Sequence, residues 1–368
     1  MILVGALFGQ SADSDNLYRN LSLFTEVIEL VDSSYVDDVD QARLIDGAFS
    51  GITEAIDEYS FYVPPAAMPD YERVRDLADP GIGVIISKRL GYAYVIATIA
   101  GSPADREGIV PGDFIERVNG ELTTDMPVWR INSALQFVNA STVDVTVVRA
   151  GMSDRDQFTF KEEEYEIEGP KLRWDGDEAI LLIPNFTAGT SQLIAAALEE
   201  VDERKAKRLL VDLRGNAWGE PEEAIEAADQ FLDEGTITSV EGRRIQPEQW
   251  QAKQGRAWKG ATVVLVDTST AGPAEVFAAA LSRNGAAKLV GIQTYGRMPV
   301  QQFVRLNSGG GLEITVGHYR TPDGMSIVEG GVRPDVVVNR AALALSDEDD
   351  DLILDRGLAI LRSGSSGA

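Results

Sequence analysis

The fold is decided by residues 261–290, which read ATVVLVDTSTAGPAEVFAAALSRNGAAKLV. An apolar run at 262–266 predicts a buried strand, and 273–282 predicts a helix, because Pro273 suits the first helical position. A second apolar run at 287–290 predicts another strand. A strand, a helix and a strand in this order form a parallel βαβ unit. The turn before Pro273 is therefore expected at the carboxyl edge of a parallel sheet.

The same alternation continues on both sides of this unit. Short apolar strands and amphipathic helices follow one another at 179–183, 190–201, 209–213 and 222–232. A further strand at 312–319 precedes a Thr-Pro-Asp-Gly turn at 321–324, in which proline takes its usual second position. We therefore expect residues 166–345 to form an α/β core built from mainly parallel βαβ units.

Residues 76–165 change to short strands punctuated by glycine and proline. Strands predicted at 81–86 and 92–99 precede GSPADREGIVPGDFIERVNG at 101–120, and 143–148 supplies a closing strand. This segment resembles PDZ domains, which carry a Ser-Pro-Ala turn, a Gly-Asp pair and an Asn-Gly or Asp-Gly turn at this spacing. A small barrel with ordinary turns is the alternative, and it does not explain the downstream match.

The resemblance to PDZ domains implies a peptide-binding loop at Gly81, Ile82, Gly83 and Val84. In that family a loop of alternating glycine and apolar residues offers backbone N–H groups to the carboxylate at the end of a peptide. The peptide then adds a strand to the sheet edge. The resemblance therefore implies that the chain binds polypeptide C-termini.

Residues 13–75 are typical of a helical region. Its apolar residues recur at alternating spacings of four and three, as in an amphipathic helix: Leu17, Leu21, Phe24, Ile28 and Val31. A second helix is predicted at 39–57 and a short linking helix at 71–77. The apolar stripe needs a partner, either the region's own core or a second copy of the chain, so one expectation is a homodimer through these helices. Residues 346–368 are expected to form an acidic, flexible tail.

Charge and composition exclude several classes of function. The 368 residues include 33 Lys+Arg and 59 Asp+Glu, and the resulting net charge of −26 disfavours binding to nucleic acid or to anionic lipid headgroups. The sequence has no cysteine and one histidine, His318, so thiolate and multi-histidine metal sites are excluded. We expect neither a metal nor a cofactor.

The start of the chain leaves two interpretations open. Residues 1–9 are apolar, like part of a secretory signal, but they lack the basic stretch that begins a complete signal. We expect an exported protein, periplasmic or membrane-associated, with a trimmed signal or anchor at residues 1–12. A frayed apolar terminus is the alternative.

Several collinear motifs extend a resemblance over residues 15–340. They are AIDEYS at 55–60, YVPP at 62–65, VDLRGNAWG at 211–219, GIQTYGRMPVQ at 291–301, SGGGLEITVGHYRTPDGMSI at 308–327 and GVRPD at 331–335. Together with the PDZ-like segment, they resemble the C-terminal processing peptidases, also called tail-specific proteases. The resemblance implies a helical N-terminal region, an inserted PDZ domain and an α/β protease core with a serine nucleophile and a lysine base.

The reactive positions depart from the family pattern. The family reads GSASASE, with the second serine of SAS as nucleophile and a lysine 25 positions further on. Alignment on Glu275 puts Gly272 and Arg297 at those two positions, and Gln301 matches the family's assisting glutamine. Glycine has no side chain that could attack a carbonyl. Arginine, with a pKa above about 12, cannot accept a proton as a neutral base. No catalytic residue is therefore expected.

The turn that the resemblance places near the oxyanion hole also differs. Where the family has NPGG, this chain has Asn216, Ala217, Trp218 and Gly219. A bulky indole thus replaces a glycine.

Three functions follow from these observations. The first is a catalytically inactive homologue that binds polypeptide C-termini or a partner protein through the PDZ-like domain and the former active-site cleft. The second is an active serine-type endopeptidase with another nucleophile; Ser269 and Thr270 are the nearest hydroxyls in sequence, but no lysine is near them. The third is a carrier of small apolar ligands, because interphotoreceptor retinoid-binding proteins resemble the same core. Trp218 and Trp258 would then line its pocket. We favour the first.

Arg297 itself has two interpretations. It is either a surface or ion-paired arginine on a loop, or it plugs the former active site while paired with Glu275 or Asp267.

Overall fold

The computed structural model describes residues 7–76, 80–149, 154–255, 257–339 and 350–363. Three β-sheets organise these residues. The expectations for residues 1–6, for Leu77, for the acidic residues 347–349 and for residues 364–368 lie outside the described parts. None of the helices seen in the described parts combines the length and the apolar content needed to cross a membrane.

The N-terminal region has three helices and one short strand. They are α1 (Leu7–Ser34), α2 (Gln41–Glu54), β1 (Phe61–Val63) and α3 (Met68–Asp76), with a 3-10 turn at Pro65–Ala67. Asp40 caps α2 by accepting the N–H of Ala42. The purely helical region expected from the sequence missed β1. Three residues beside a proline carry too little periodicity to predict a strand, and β1 forms because it pairs with a strand of the core.

The second region is the PDZ-like domain. Its elements are β2 (Val84–Arg89), β3 (Tyr92–Thr98), α4 (Pro103–Arg106), β4 (Phe114–Val118), β5 (Glu121–Leu122), a 3-10 turn (Thr123–Asp125), α5 (Val128–Leu135), β6 (Thr142–Val148) and β7 (Arg155–Lys161). The strand order is β2-β3-β4-β6-β7, with β5 paired to β4. β6 is therefore not the closing strand, because the mostly polar β7 pairs outside it. β2 lies at the opposite edge, where it can accept an added strand.

The core follows. In chain order its elements are β8 (Lys171–Asp175), β9 (Glu178–Leu182), α6 (Thr190–Glu203), β10 (Arg208–Asp212), α7 (Pro221–Asp229), β11 (Thr236–Glu241), β12 (Glu248–Gln251), β13 (Ala261–Val266), α8 (Pro273–Arg283), β14 (Lys288–Gly291), β15 (Pro299–Arg305), β16 (Gly311–Arg320), β17 (Val336–Val337) and α9 (Leu352–Ser363).

The core contains one parallel and one antiparallel sheet. The order β17-β14-β13-β10-β9 is parallel throughout, and β8 closes it as an antiparallel strand on β9. The second sheet has the order β1-β16-β11-β12, with β15 also paired to β16. The parallel sheet confirms the predicted βαβ units and brings the ends of β10 and β13 together at one edge.

Helices cover both faces of the parallel sheet. On one face, α6, α7 and α8 bury an apolar cluster that includes Ile194, Ile225 and Phe277. On the other face, α9 packs through residues such as Ile353 and Leu358.

The acidic, flexible tail predicted at 346–368 is therefore wrong for α9. Its apolar residues recur with helical spacing and are buried against the sheet, and Asp351 before it pairs with Arg214 at 2.7 Å. The acidic residues directly before α9 obscure that apolar pattern in the sequence.

Candidate functional site

Gly272 occupies the sharp turn between β13 and α8. Its backbone has φ of 62° and ψ of −127°, which glycine adopts freely and other residues adopt only with strain. A Cβ placed on Gly272 would stand 3.6 Å from the backbone oxygen of Arg297, so the turn has space for a side chain. Pro273 follows as the first helical residue and has no N–H to donate. This is the shape of a turn that can carry a nucleophile, without the nucleophile.

Glu275, in the first turn of α8, ties this turn to the loop that carries Arg297. Its fully buried carboxylate accepts the N–H groups of Gly272 at 2.9 Å, Gly296 at 2.7 Å and Arg297 at 2.9 Å. It also accepts the Thr294 hydroxyl at 2.5 Å. Burial raises the pKa of Glu275 to about 7, and the four donors oppose that rise. The carboxylate thereby fixes the place where the two backbone segments meet.

Arg297 is half-buried and lines the same cleft as Gly272. Burial raises the pKa of Tyr59 and of Tyr295, and the nearby Arg297 guanidinium partly offsets the rise in both. The guanidinium forms no ion pair or hydrogen bond with any residue that the structure describes.

Neither acid proposed as the partner of Arg297 binds its guanidinium. Glu275 takes the backbone N–H of Arg297 instead. Asp267 accepts the N–H of Ser269 at 2.9 Å and the N–H of Gly215 at 3.3 Å. The interpretation that places Arg297 in the cleft agrees with the structure, but the expected pairing is wrong, because other donors already occupy both carboxylates.

Gln301, on β15, lies in the same cleft. Its Nε2 donates a hydrogen bond to the backbone oxygen of Tyr59 at 2.6 Å. The glutamine therefore links the segment between α2 and β1 to the core beside Arg297.

The turn after β10 forms the opposite wall. Asn216 is fully buried, and its Nδ2 donates to the Ile183 oxygen at 2.9 Å. Trp218 lines the cleft, and its backbone oxygen accepts the N–H of Phe186 at 2.9 Å. Gly219 has φ of 133°, and a Cβ there would lie 2.3 Å from the carbonyl carbon of Phe186, so only glycine fits.

The predicted carboxylate-binding loop of the PDZ-like domain uses two of its backbone N–H groups for internal hydrogen bonds. Gly81, Ile82, Gly83 and Val84 are all buried. The N–H of Ile82 donates to the oxygen of Leu135 at 3.1 Å, and that of Gly83 donates to the oxygen of Pro80 at 3.0 Å. The structure thus assigns two of the expected carboxylate donors to internal hydrogen bonds.

The groove between β2 and α5 opens directly onto the protease-like turn. One cleft of about 490 Å³ is lined by Ile85 of β2, by Leu135 of α5 and by both Gly272 and Arg297. A polypeptide that adds a strand to β2 would therefore reach Gly272 and Arg297.

The lining of this cleft is poor in nucleophilic and basic side chains. Among the described residues that form it, none is a serine, threonine, lysine, histidine, aspartate or glutamate, and the hydroxyls belong to Tyr59 and Tyr319. Arg297 is its charged residue. The part of the chain that the structure describes also contains no group of three or more histidines and acids arranged to hold a metal ion.

The residues considered as alternatives have other roles. The buried Thr270 hydroxyl donates to the backbone oxygen of Leu213 at 2.9 Å, and so it supports the turn. Trp258 is buried in the core, where its Nε1 donates to Thr262 at 2.8 Å. The expectation that Trp218 and Trp258 share a pocket is wrong, since Trp218 lines the cleft and Trp258 does not.

Reasoning from the sequence missed two parts of the site. The wall formed by α5 was missed, although VWRINSAL at 128–135 has amphipathic spacing that would have predicted a helix. The role of Glu275 as the acceptor for three backbone N–H groups was missed as well. Only its position three residues after the helix start indicated a capping role.

The comparisons with known proteins agree with this architecture. Residues 177–338 match the model of peptidase family S41, and residues 94–149 match that of the PDZ domain. The chain is 27% identical over 340 residues to the carboxy-terminal-processing protease of Bartonella bacilliformis, covering 89% of this chain and 77% of that protein. It is 29% identical over 336 residues to the carboxy-terminal processing protease CtpA of Bacillus subtilis, covering 90% of this chain and 71% of that protein.

A solved structure shows the same fold. The photosystem II D1 C-terminal processing protease superposes with a TM-score of 0.70 at 22% identity. The superposition covers 86% of this chain and 92% of that one.

Proposed function

We propose that this chain, which has S41-like and PDZ domains and is homologous to the C-terminal processing proteases, is an inactive homologue that binds polypeptides. Its ligands would be polypeptide C-termini or a partner protein. The binding surface would be the groove between β2 and α5 together with the cleft that holds Gly272 and Arg297.

One observation carries the proposal, namely the chemistry of the cleft wall. Covalent hydrolysis of a peptide needs a nucleophile and a group that takes its proton. The described residues that line the cleft supply neither a serine or threonine hydroxyl nor a lysine or histidine. The tyrosines do not replace them, because burial raises the pKa of Tyr59 well above its usual range and that of Tyr319 to about 12.

Pro273 supports the same conclusion independently. In turns of this kind, the residue after the nucleophile commonly donates its backbone N–H to the oxyanion of the tetrahedral intermediate. Pro273 has no N–H, so this donor is missing along with the hydroxyl and the base. Loss of one oxyanion donor alone lowers turnover by about a hundredfold to a thousandfold in proteases.

The geometry of β2 supports binding. β2 is an edge strand, and its residues Val84, Ile85 and Ile86 line the cleft. An extended peptide can pair with such an edge through main-chain hydrogen bonds, while its side chains enter neighbouring pockets. Apolar groups of Leu135 and Trp218 lie beside this edge.

The test combines an activity assay with a binding assay on the full chain. We expect no cleavage of unstructured proteins and no labelling by a fluorophosphonate probe, whereas fluorescently tagged peptides with apolar C-termini bind measurably. Ile85→Lys should weaken peptide binding by about tenfold or more, because it puts a charge on the β2 edge. Val304→Lys, an exposed change on β15, is the matched control and should leave binding unchanged. Site-specific labelling together with peptide turnover would overturn the proposal.

We further propose that α1 mediates self-association. Among its described side chains, Leu21 and Phe24 of the predicted stripe are exposed, and so are Leu23, Val27 and Leu30. Burying such a stripe against the same stripe of a second copy would remove apolar surface from water. Analytical ultracentrifugation tests this. We expect a dimer that Leu30→Glu dissociates, and a monomer for the unchanged chain would contradict the idea.

Export is also a proposal. It is supported by the apolar residues at 1–9 and by the absence of cysteine from the sequence. Fractionation of the source cells with an antibody to this chain would test it, and recovery wholly in the cytosolic fraction would contradict it.

A further inference from the structure

Arg297 differs from the other partly buried arginines of the described chain. Each of the others has a hydrogen-bonded or ionic partner for its side chain: Arg117, Arg149, Arg208, Arg214, Arg283 and Arg320. The guanidinium of Arg297 has none among the described residues. In a chain whose acidic residues far outnumber its basic ones, such a cation is unexpected.

No carboxylate of the described residues forms an ion pair with the Arg297 guanidinium. The described lining of the cleft includes no aspartate or glutamate. Glu58 is nearby, but its carboxylate accepts the Ser87 hydroxyl at 3.2 Å and a hydrogen bond from the side chain of Tyr59. A guanidinium offers a planar pair of N–H donors that matches a carboxylate, and partial burial strengthens such a bond.

The turn after β10 also has backbone N–H groups without partners. The backbone N–H groups of Ala217, Trp218 and Gly219 make no hydrogen bond with described residues, and all three residues line the cleft. Together with the guanidinium, they make the cleft locally attractive to an anion in an otherwise acidic protein.

The loop predicted from the sequence to bind a carboxylate is less well prepared. The N–H groups of Ile82 and Gly83 already donate to Leu135 and Pro80. A carboxylate could use them only after those internal bonds break. Arg297 has no such bond to lose.

We therefore propose that Arg297 is the receptor for a carboxylate of the bound polypeptide, so that the position expected to hold the general base has become an anion-binding residue. This rests on the proposed polypeptide-binding function. The carboxylate is supplied either by the free C-terminus of the polypeptide or by an aspartate or glutamate side chain. The polypeptide pairs with the β2 edge and places that group against the guanidinium.

The experiment measures the affinity of the full chain for three forms of one fluorescent peptide. The forms are a free acid, a C-terminal amide, and an amide with one internal aspartate. We expect the free acid to bind about tenfold or more tightly than the plain amide, as is typical of hydrogen bonds between charged groups. Tight binding by the aspartate peptide would identify a side chain as a sufficient source of the carboxylate.

The variant Arg297→Met should abolish the preference for the carboxylate and leave the affinity for the plain amide nearly unchanged. Arg297→Lys keeps the charge without the paired donors and should retain part of the preference, which also controls for misfolding. Arg243→Met removes an exposed arginine elsewhere and should change nothing.

The outcomes separate this inference from the proposed function. Peptide binding that is equal for acid and amide, or equal for the unchanged chain and Arg297→Met, overturns the role of Arg297 while polypeptide binding stands. If none of the three peptides binds the unchanged chain, both proposals fail.

Discussion

The two strand-to-helix turns at the carboxyl edge of the parallel sheet are built in opposite ways. In the turn after β10, the Arg214 side chain pairs with Asp212 and Asp351 at 2.7 Å each. Gly219 packs directly against the backbone of Phe186. Of the N–H groups of that turn, those of Ala217, Trp218 and Gly219 make no hydrogen bond with described residues, and these three residues line the cleft. In the turn after β13, the carboxylate of Glu275 accepts the backbone N–H of Gly272, whereas the position of Gly272 has space for a side chain.

This difference distinguishes the backbone that supports the site from the side chains that determine its chemistry. Gly272 leaves an empty position and Arg297 an unpaired cation, yet the hydrogen bonds that hold their backbones are complete. The two turns therefore give the cleft a hydrogen-bonded backbone together with donors that have no partner among the described residues, and this arrangement suits the proposed binding function.

The largest effect is expected from Gly219→Ala. A Cβ at this position would lie 2.3 Å from the carbonyl carbon of Phe186, and the backbone already has φ of 133°. We expect a loss of more than about 3 kcal/mol in the free energy of unfolding, because backbone atoms must move. Urea denaturation measures it. Gly215→Ala, in the same turn at φ of 74° with open space around its Cβ, is the control for backbone conformation alone and should cost about 1 kcal/mol. Equal losses for the two variants would show that the close approach of Gly219 to the Phe186 backbone does not limit the side chain at this position.

The next effect is expected from Glu275→Ala. Three N–H groups and the Thr294 hydroxyl lose their acceptor in a fully buried place. We expect a loss of about 3 kcal/mol in the free energy of unfolding, since unsatisfied buried donors are expensive. Glu329→Ala, at an exposed position, should be neutral. Unchanged stability of Glu275→Ala would mean that other contacts close the turn after β13.

The pH dependence of stability should reveal the same carboxyl. The pKa of Glu275 is about 7 in the folded chain against 4.5 ordinarily, so the folded state binds more protons between these values. Its contribution is present in full below about pH 4.5 and is lost as the pH rises towards 7, on the order of 2 kcal/mol between pH 5 and 7. Glu275→Gln should flatten that part of the curve. An identical pH profile for the variant and the unchanged chain would rule out this titration.

Local sequence was enough to predict much of this architecture. The α/β core predicted from apolar runs and turn residues is confirmed, and so is the PDZ domain implied by the resemblance. Most of the strands that were missed are short or polar, and each is fixed by its partner strand: β1, β4, β5, β7, β8, β11, β12, β15 and β17.

The site was predictable only in part. The positions of Gly272, Arg297 and Gln301 followed from motif spacing, and the structure brings all three into one cleft. The partners of Asp267 and Glu275 did not follow, because they are backbone N–H groups whose approach depends on tertiary packing. For the same reason, the internal hydrogen bonds of Ile82 and Gly83 could not be foreseen.

The smallest effect is expected from Gly272→Ser, which fills the open position without disturbing the closed backbone. The added Cβ has an ordinary contact of 3.6 Å, so the loss of stability is limited to the strain of φ near 62°, about 1 kcal/mol to 2 kcal/mol. Fluorophosphonate labelling should stay absent, because Arg297 cannot take the serine proton and Pro273 cannot donate to an oxyanion. The matched variant also carries Arg297→Lys and Pro273→Ala, which restore a possible base and an N–H, and labelling should then become detectable. Labelling of Gly272→Ser alone would show that a base is already present. The natural turn after β13 would then lack only the serine hydroxyl.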